Sequence, residues 1–424
     1  MRQYRINGGL RLEGELAICG AKNAVLPILA AACLNESETV IHNCPRISDT
    51  LNTIEILRAL GFHTDFSQNT LTIQPANDMQ YEIPNKLAKK MRSSILFMGA
   101  LLARKGKAQL SGPGGCKIGR RAIDLHIKGL TAMGAKIYMD ENMISCEAKE
   151  LTGARIRLDF PSVGATENLL IAATKARGDT IIENAAREPE ITDLAEFLKK
   201  MGAEIRGAGT STIVIRGIRN AFSTPVTHDI VPDRIVAGTY LVAAAITGGN
   251  IRLTNVRPFD LAPITMYLFE MGCVLRAEED AVTLRASERL RGGMRIETKV
   301  HPGFPTDMQP QFATALSLAD KRSEIRETIF EGRTGHVPEL RRMGAHIHIT
   351  ADKRTFEIEG MRQLKGAVVT AHDLRCGAAL VLAGLAASGE TIVQNAEYVE
   401  RGYESIERDL TALGADIRIE QIDV

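Results

Sequence analysis

The sequence predicts an α/β protein assembled from six copies of one unit, three copies to a domain. A helix-ending glycine step recurs at Leu60-Gly61, Met133-Gly134-Ala135, Met201-Gly202-Ala203, Met271-Gly272-Cys273, Met343-Gly344-Ala345 and Leu413-Gly414-Ala415. From Gly61 to Gly414 the step returns with a period of about 70 residues, and a period that regular marks an internal repeat. Each copy runs from a β-branched stretch through a turn into an amphipathic helix, and each holds a second, alanine-rich helix. At 424 residues the chain can build two large cores, so the six units divide into two domains of three.

The third copy shows the elements in order. Thr180-Ile181-Ile182-Glu183 is a β-branched run that predicts a strand, entered from Gly178-Asp179. The polar turn Asn184 to Glu190 follows, with Pro189 suited to an early helix position. Leu194, Phe197, Leu198 and Met201 form one apolar helix stripe, and Gly202 is placed as its C-terminal cap. Beyond it, Glu204 to Arg206 and Thr212 to Arg216 predict short strands joined through Gly207 and Gly209.

The second helix of each copy is apolar on every face and therefore buried. The six are Lys22–Asn35, Met91–Arg104, Ser162–Arg177, Pro232–Thr247, Thr306–Ala319 and Asp373–Ser388. Their first turns are polar: Lys22-Asn23, Arg92-Ser93-Ser94, Ser162, Asp233-Arg234, Thr306-Asp307 and Asp373-Leu374-Arg375. Capping explains the Ser, Thr, Asp and Asn residues. It does not explain the cations, which oppose the helix dipole by about 0.3–1 kcal/mol each. Cations at helix starts predict one or two sites for an anion such as phosphate or carboxylate, with structural salt bridges as the competing explanation.

Composition excludes several function classes. Charge is balanced at +1 with no basic stripe, which argues against nucleic acid as a partner, and Trp is absent. Residues 1–9 lack the apolar core of a signal peptide. The apolar runs Ala24–Leu34 and Ala378–Ala387 are too short to span a membrane. Seven cysteines without Cys-x-x-Cys pairing point to a reduced, cytoplasmic protein without disulfides. No His/Cys ligand spacing predicts a metal site, and His346 and His348 alternate on a strand as exposed residues would.

One copy breaks the pattern. In four copies the strand ends in Asn43, Asn184, Asn255 or Asn395, each at nearly the same spacing ahead of its stop glycine, Gly61, Gly202, Gly272 or Gly414. In the second copy the equivalent position is Gly112, and the stop at Gly134 comes later than that spacing allows. The excess falls in Ser111-Gly112-Pro113-Gly114-Gly115-Cys116-Lys117-Ile118-Gly119-Arg120-Arg121, a glycine-rich loop that places one thiol among cations. Positive charge favours thiolate, so Cys116 is the candidate reactive cysteine. The other six lie in apolar or strand contexts. The loop matches neither a P-loop nor a dinucleotide-binding fingerprint.

Pro113-Gly114-Gly115-Cys116-Lys117-Ile118-Gly119 and Gly20-Ala21-Lys22-Asn23-Ala24 resemble motifs of the UDP-N-acetylglucosamine 1-carboxyvinyltransferases, enolpyruvyl transferases of the EPSP synthase family. Asn184-Ala185-Ala186-Arg187-Glu188-Pro189-Glu190, Pro232-Asp233-Arg234, Phe304-Pro305-Thr306-Asp307-Met308-Gln309, His336-Val337-Pro338-Glu339-Leu340, Asp373-Leu374-Arg375 and Arg401-Gly402-Tyr403-Glu404 match as well. The likeness spans essentially the whole chain.

The resemblance implies a two-domain inverted α/β barrel of six βαβαββ repeats. One domain would be residues 22–231, carrying the Cys116 loop, and the other 1–21 plus 232–424, with the polar helix starts facing an interdomain cleft. It implies transfer of enolpyruvyl from phosphoenolpyruvate to the 3′-hydroxyl of UDP-N-acetylglucosamine, with release of phosphate through a tetrahedral ketal, and neither metal nor other cofactor. Cys116 would donate the proton to the methylene carbon and can form an adduct with phosphoenolpyruvate. Asp307 would be the base near the 3′-hydroxyl. Lys22, Arg92, Arg121, Arg333, Arg375 and Arg401 would surround the phosphate and carboxylate. Asn23, Arg121, Ala122, Ile123, Asp124, His126, Ser162, Val163, Gly164 and Ile329 would contact the nucleotide sugar. Many relatives carry a basic residue where Ser48 stands, so Arg46 is the cation that would have to reach in from that loop. Two other readings stay open: an enolpyruvyl transferase with another acceptor, and a silent repeat scaffold resembling a sliding clamp. The oligomeric state is left open, a monomer being compatible.

Overall fold

The computed structural model describes residues 2–112, 123–140, 143–218 and 220–422. They pack as two units, one of residues 20–112 and 123–231, the other of residues 2–19 and 232–422. Gly20 and Ala21 belong with the first: the Ala21 N–H donates to Val231 O at 2.7 Å. A Cβ added to Gly20 would lie 1.9 Å from Asn43 O, so only glycine permits that crossing.

The 20–231 unit holds three open sheets. Strands Val226–Asp229, Thr39–His42, Thr70–Gln74 and His63–Ser67 form the first in that order. Glu204–Arg206, Thr212–Arg216, Asp179–Glu183 and Arg155–Arg157 form the second. The third has three strands, Lys107–Ser111, Met143–Glu147 and Lys136–Met139, and its parallel edge is reduced to one bridge between Glu82 and Gln109.

The other unit repeats the plan. Val274–Ala277, Ala281–Arg285, Asn250–Thr254 and Glu13–Ala17 form one sheet; Arg295–Glu297, Ser323–Arg326, Thr355–Glu359 and His346–Ile349 form another. In the third, Arg2–Asn7 lies between Glu390–Gln394 and Asp416–Gln421, with Val368–Thr370 on the far side of Glu390–Gln394. The strand after Gly414 thus takes its antiparallel partner from the N-terminal segment, with Arg2 opposite Gln421 and Asn7 opposite Asp416. The sheets remain separate, and no barrel closes among the described residues.

Two buried helix starts differ from regular α-helix. Arg92–Leu96 and Thr306–Met308 are 3-10 turns leading into Phe97–Lys105 and Gln309–Ser317. The others are Lys22–Ala32, Val163–Ala173, Arg234–Ile246 and Leu374–Ala386. Their apolar residues are buried on all sides, one contiguous core in each unit. Each fully buried Leu or Ile stabilises by about 1.5–3 kcal/mol, and the interspersed alanines let neighbouring helices approach.

The six stop glycines all have positive φ, between 93° and 108°. Each is followed by the same pair of hydrogen bonds; for Gly414 these are Gly414 N to Thr411 O and Ala415 N to Leu410 O, both 2.9 Å. This is the Schellman motif, with glycine in the left-handed conformation, that closes orphan helix carbonyls. The strand-end asparagines are equally regular. Asn43, Asn184, Asn255 and Asn395 all have φ between 50° and 61°. Their Nδ2 atoms donate to Ile230 O, Leu158 O, Ile18 O and Ala371 O, each just past the parallel edge strand. Asn tolerates the left-handed region and ties two parallel strands at their ends.

Candidate active site

Asp307, in the 3-10 turn Thr306–Met308, anchors the clearest constellation. Its Oδ1 accepts from Arg333 Nη1 at 2.9 Å and its Oδ2 from Arg375 Nη2 at 2.8 Å. Both guanidinium groups are buried, while the carboxylate is 22% exposed. Burial favours the neutral acid, but Arg375 and then Arg333 outweigh it and hold the Asp307 pKa well below the usual carboxylate range. Burial works against the Arg375 charge too, yet Asp307 keeps it firmly protonated. Arg333 Nε and Arg375 Nη1 are buried with no hydrogen-bond partner among the described residues, so the pair retains donors for a further acceptor.

A second carboxylate, Glu327, sets this geometry and escaped the sequence reading. It is buried at the end of strand Ser323–Arg326, where four other copies carry Asn. Its Oε1 accepts from Thr298 Oγ1 and from the N–H groups of Ile329 and Phe330, at 2.9, 2.8 and 3.0 Å. Its Oε2 accepts from Thr306 Oγ1 at 2.8 Å, and that hydroxyl in turn accepts from Arg333 Nη1 at 3.0 Å. The signal was available: Glu327 precedes Gly344 by the same spacing at which Asn255 precedes Gly272.

Asp373 caps the helix bearing Arg375, its Oδ1 accepting from Arg375 N and Cys376 N at 2.8 and 3.0 Å. Asp233 does the same for Ile235 and Val236, and Ser162 for Ala165. Capping therefore accounts for three of the polar starts. The helices after Ala21, Met91 and Pro305 have no side-chain cap, and they are the ones that begin with Lys22, Arg92 and Thr306-Asp307. Arg401 ends the 3-10 turn Ala396–Arg401 and is partly buried.

In the 20–231 unit, Lys22 pairs with Asp49 at 3.1 Å, so a salt bridge engages that cation in this state. Asn23 follows it, partly buried. Arg92, His126 and the Ser162-Val163-Gly164 helix start come together. Burial, then the nearby Arg92 charge, push the His126 imidazole down to about 4. A Cβ on Gly164 would lie 3.4 Å from His126 Cε1. Ile123 and Asp124 open the helix Asp124–Ala132 that carries His126. The Arg46 guanidinium lies 4.4 Å over the Phe66 ring and donates to Phe66 O.

Cys116, Arg121 and Ala122 lie outside the described residues. The other six cysteines are free, and burial pushes their resolved thiols up, Cys33, Cys146 and Cys376 to about 12 and Cys273 to about 11. None of those raised thiols is poised as a thiolate. No described helix is long and apolar enough to cross a membrane.

A family model described as EPSP synthase (3-phosphoshikimate 1-carboxyvinyltransferase) matches residues 6–410. UDP-N-acetylglucosamine 1-carboxyvinyltransferase 2 of Caldanaerobacter subterraneus subsp. tengcongensis is 49% identical over 417 residues, covering 98% of this chain and 99% of that one. The UDP-N-acetylglucosamine 1-carboxyvinyltransferase of Geotalea uraniireducens is 47% identical with the same coverage. Among solved structures, the enolpyruvyl transferase NikO from Streptomyces tendae superposes with a TM-score of 0.89 at 28% identity, covering 99% of this chain and 98% of that one. EPSP synthase from Acinetobacter baumannii reaches 0.76 at 19% identity over 99% and 100% of the two chains, a likeness of fold alone. The chain belongs to the EPSP synthase family, among its UDP-N-acetylglucosamine 1-carboxyvinyltransferases.

Proposed function

We propose that the protein transfers the enolpyruvyl group of phosphoenolpyruvate to the 3′-hydroxyl of UDP-N-acetylglucosamine and releases phosphate, the first committed step of peptidoglycan synthesis. The observation that carries this is Asp307, a carboxylate held ionised between two buried arginines at the start of a buried helix. The relatives at 45–49% identity bear the name of this activity.

The reaction adds the sugar oxygen to C2 of phosphoenolpyruvate while C3 gains a proton, forming a ketal. The ketal then loses phosphate and a C3 proton. Asp307 takes the hydroxyl proton. At rest it is too weak a base, because Arg333 and Arg375 stabilise its anion. The phosphate and carboxylate of the substrate would draw those guanidinium groups onto themselves, and Asp307 would gain basicity as they leave. Binding would thus prime the base. Cys116 supplies the C3 proton, Lys22 and Arg401 join the arginines around the anionic groups, and Arg121 serves both substrates. Arg92 belongs with those cations, and Asn23, Ala122, Ile123, Asp124, His126, Ser162, Val163, Gly164 and Ile329 hold the nucleotide sugar. Six described cysteines present as free thiols suit a reducing, cytoplasmic setting.

The test is phosphate release with each substrate alone and with both. Release should require both and should vanish when Cys116 is alkylated. Release with phosphoenolpyruvate and a different acceptor, but not with UDP-N-acetylglucosamine, would overturn the assignment.

A further inference from the structure

Asn168, on the helix Val163–Ala173, is fully buried and makes three side-chain contacts. Its Oδ1 accepts the Gly99 N–H at 2.7 Å. Its Nδ2 donates to Ile95 O at 3.2 Å and faces His126 Nδ1 at 2.9 Å. The two main-chain partners fix which end of the amide is which, because an N–H can only donate and a carbonyl can only accept. The group facing His126 is therefore an N–H. Nδ1 must accept, and the single ring proton must sit on Nε2.

We propose that Asn168 is a positioning residue that locks His126 as a neutral imidazole donating through Nε2. This rests on the reading of His126 as a nucleotide-sugar contact. A proton on Nδ1 would set two donors face to face in a buried site, which costs more than the loss of one hydrogen bond. The surroundings agree among the described residues packed on the ring. The turn Arg92–Leu96 contributes the Arg92 cation, which disfavours imidazolium. The helix Val163–Ala173 contributes the neutral Asn168, and Gly164, where an added Cβ would sit 3.5 Å from Nε2 and cover that edge. On its own helix, Asp124 stands two positions before His126 in the chain, across Leu125, and Lys128 is turned to Asp159 at 2.7 Å.

The same amide joins four elements: the turn bearing Arg92, the helix Phe97–Lys105, the helix started by Ser162 and the helix bearing His126. One side chain thereby sets the register of three candidate contacts. The repeat itself does not dictate this. His336 holds the same position in its copy, preceding Gly344 by the spacing at which His126 precedes Gly134. There the tethered nitrogen is Nε2, 3.4 Å from Gln309 Nε2, so that ring is held by its opposite edge.

Heteronuclear NMR of histidine-labelled protein tests the lock, with His126→Gln assigning the resonance. The wild type should show His126 as the Nε2–H tautomer with no titration between pH 5.5 and 8.5. Asn168→Asp keeps the shape and the Gly99 contact but turns an acceptor toward Nδ1. His126 should then take up a proton and titrate within that window, its midpoint moved up by at least tenfold in proton affinity. Wild-type titration near the ordinary value of about 6.5, or a proton on Nδ1, would overturn the proposal. So would an unchanged His126 signal in folded Asn168→Asp. The KM for UDP-N-acetylglucosamine should follow the same midpoint in that variant, while the KM for phosphoenolpyruvate does not. A shifted His126 signal with no change in either KM would support the lock and remove His126 from the nucleotide-sugar site.

Discussion

Arg375 Nη2 lies 2.8 Å from Asp307 Oδ2, an ion pair formed where two helix starts of different repeats meet. Arg333 completes it from the other side at 2.9 Å. The lowered pKa of the carboxylate means that its contribution to stability is fully present above the ordinary value of about 3.9 and is lost as pH falls through the lower folded value.

Asp307→Asn should lower turnover by about 10²–10⁴-fold, the usual worth of a positioned base, with the protein still folded. It should also lose about 1–3 kcal/mol of stability at pH 7, because one guanidinium then faces an amide N–H. That loss should shrink only below about pH 3.9. Phosphate release and thermal melts across pH check both; turnover within twofold of the parent would refute the base assignment.

The strand-end asparagines separate two effects at one position. Asn184 combines φ of 54° with an Nδ2 bond of 2.9 Å to Leu158 O. Asn184→Gly keeps the left-handed backbone and loses only the bond, about 1 kcal/mol. Asn184→Ala loses both, with strain adding about 1–2 kcal/mol. Denaturant melts should rank Asn above Gly above Ala. Alanine equal to glycine would show that backbone strain contributes nothing there.

Much of this architecture was legible because repetition exposes backbone constraints. At the helix stops and at these four strand ends the positive-φ residue is glycine or asparagine, so Gly61 through Gly414 and the four asparagines announce those ends. Departures from the period were harder to see. Glu327 replaces the asparagine with a side chain of different chemistry, and its role emerges only when Thr298, Thr306 and the Ile329 N–H converge on it. Lys22 reads as an anion ligand in sequence, whereas Asp49, on the next helix of the chain, comes within 3.1 Å of it in space. The stacking of Arg46 on Phe66 was hidden for the same reason: long-range partners leave no local pattern.

The cysteines give a chemical prediction. Burial raises the resolved thiols among the six described, so at pH 7 their thiolate fractions are small. Limiting iodoacetamide at neutral pH should label Cys116 first, and loss of phosphate release should track that single modification. Peptide mass mapping that finds Cys19 or Cys33 labelled ahead of Cys116 would contradict the assignment of a reactive thiol to the glycine-rich loop.

Glu167 sits one residue before Asn168, and its ionisation carries the opposite sign from Asp307. Burial, then Glu190 and Glu188, raise its pKa well above the usual carboxylate value. The folded protein therefore holds a proton that the unfolded chain releases above about 4.3. Stability from this group is complete below that value and is lost as pH rises toward the folded value, because the folded state binds more protons than the unfolded one. Glu167→Gln removes the titration while keeping shape, and its amide can donate toward the neighbouring carboxylates. The variant should match the parent in melting temperature near pH 4 and exceed it by a few degrees near pH 8. A melting difference that is flat across that range would show that Glu167 is not held protonated in the fold.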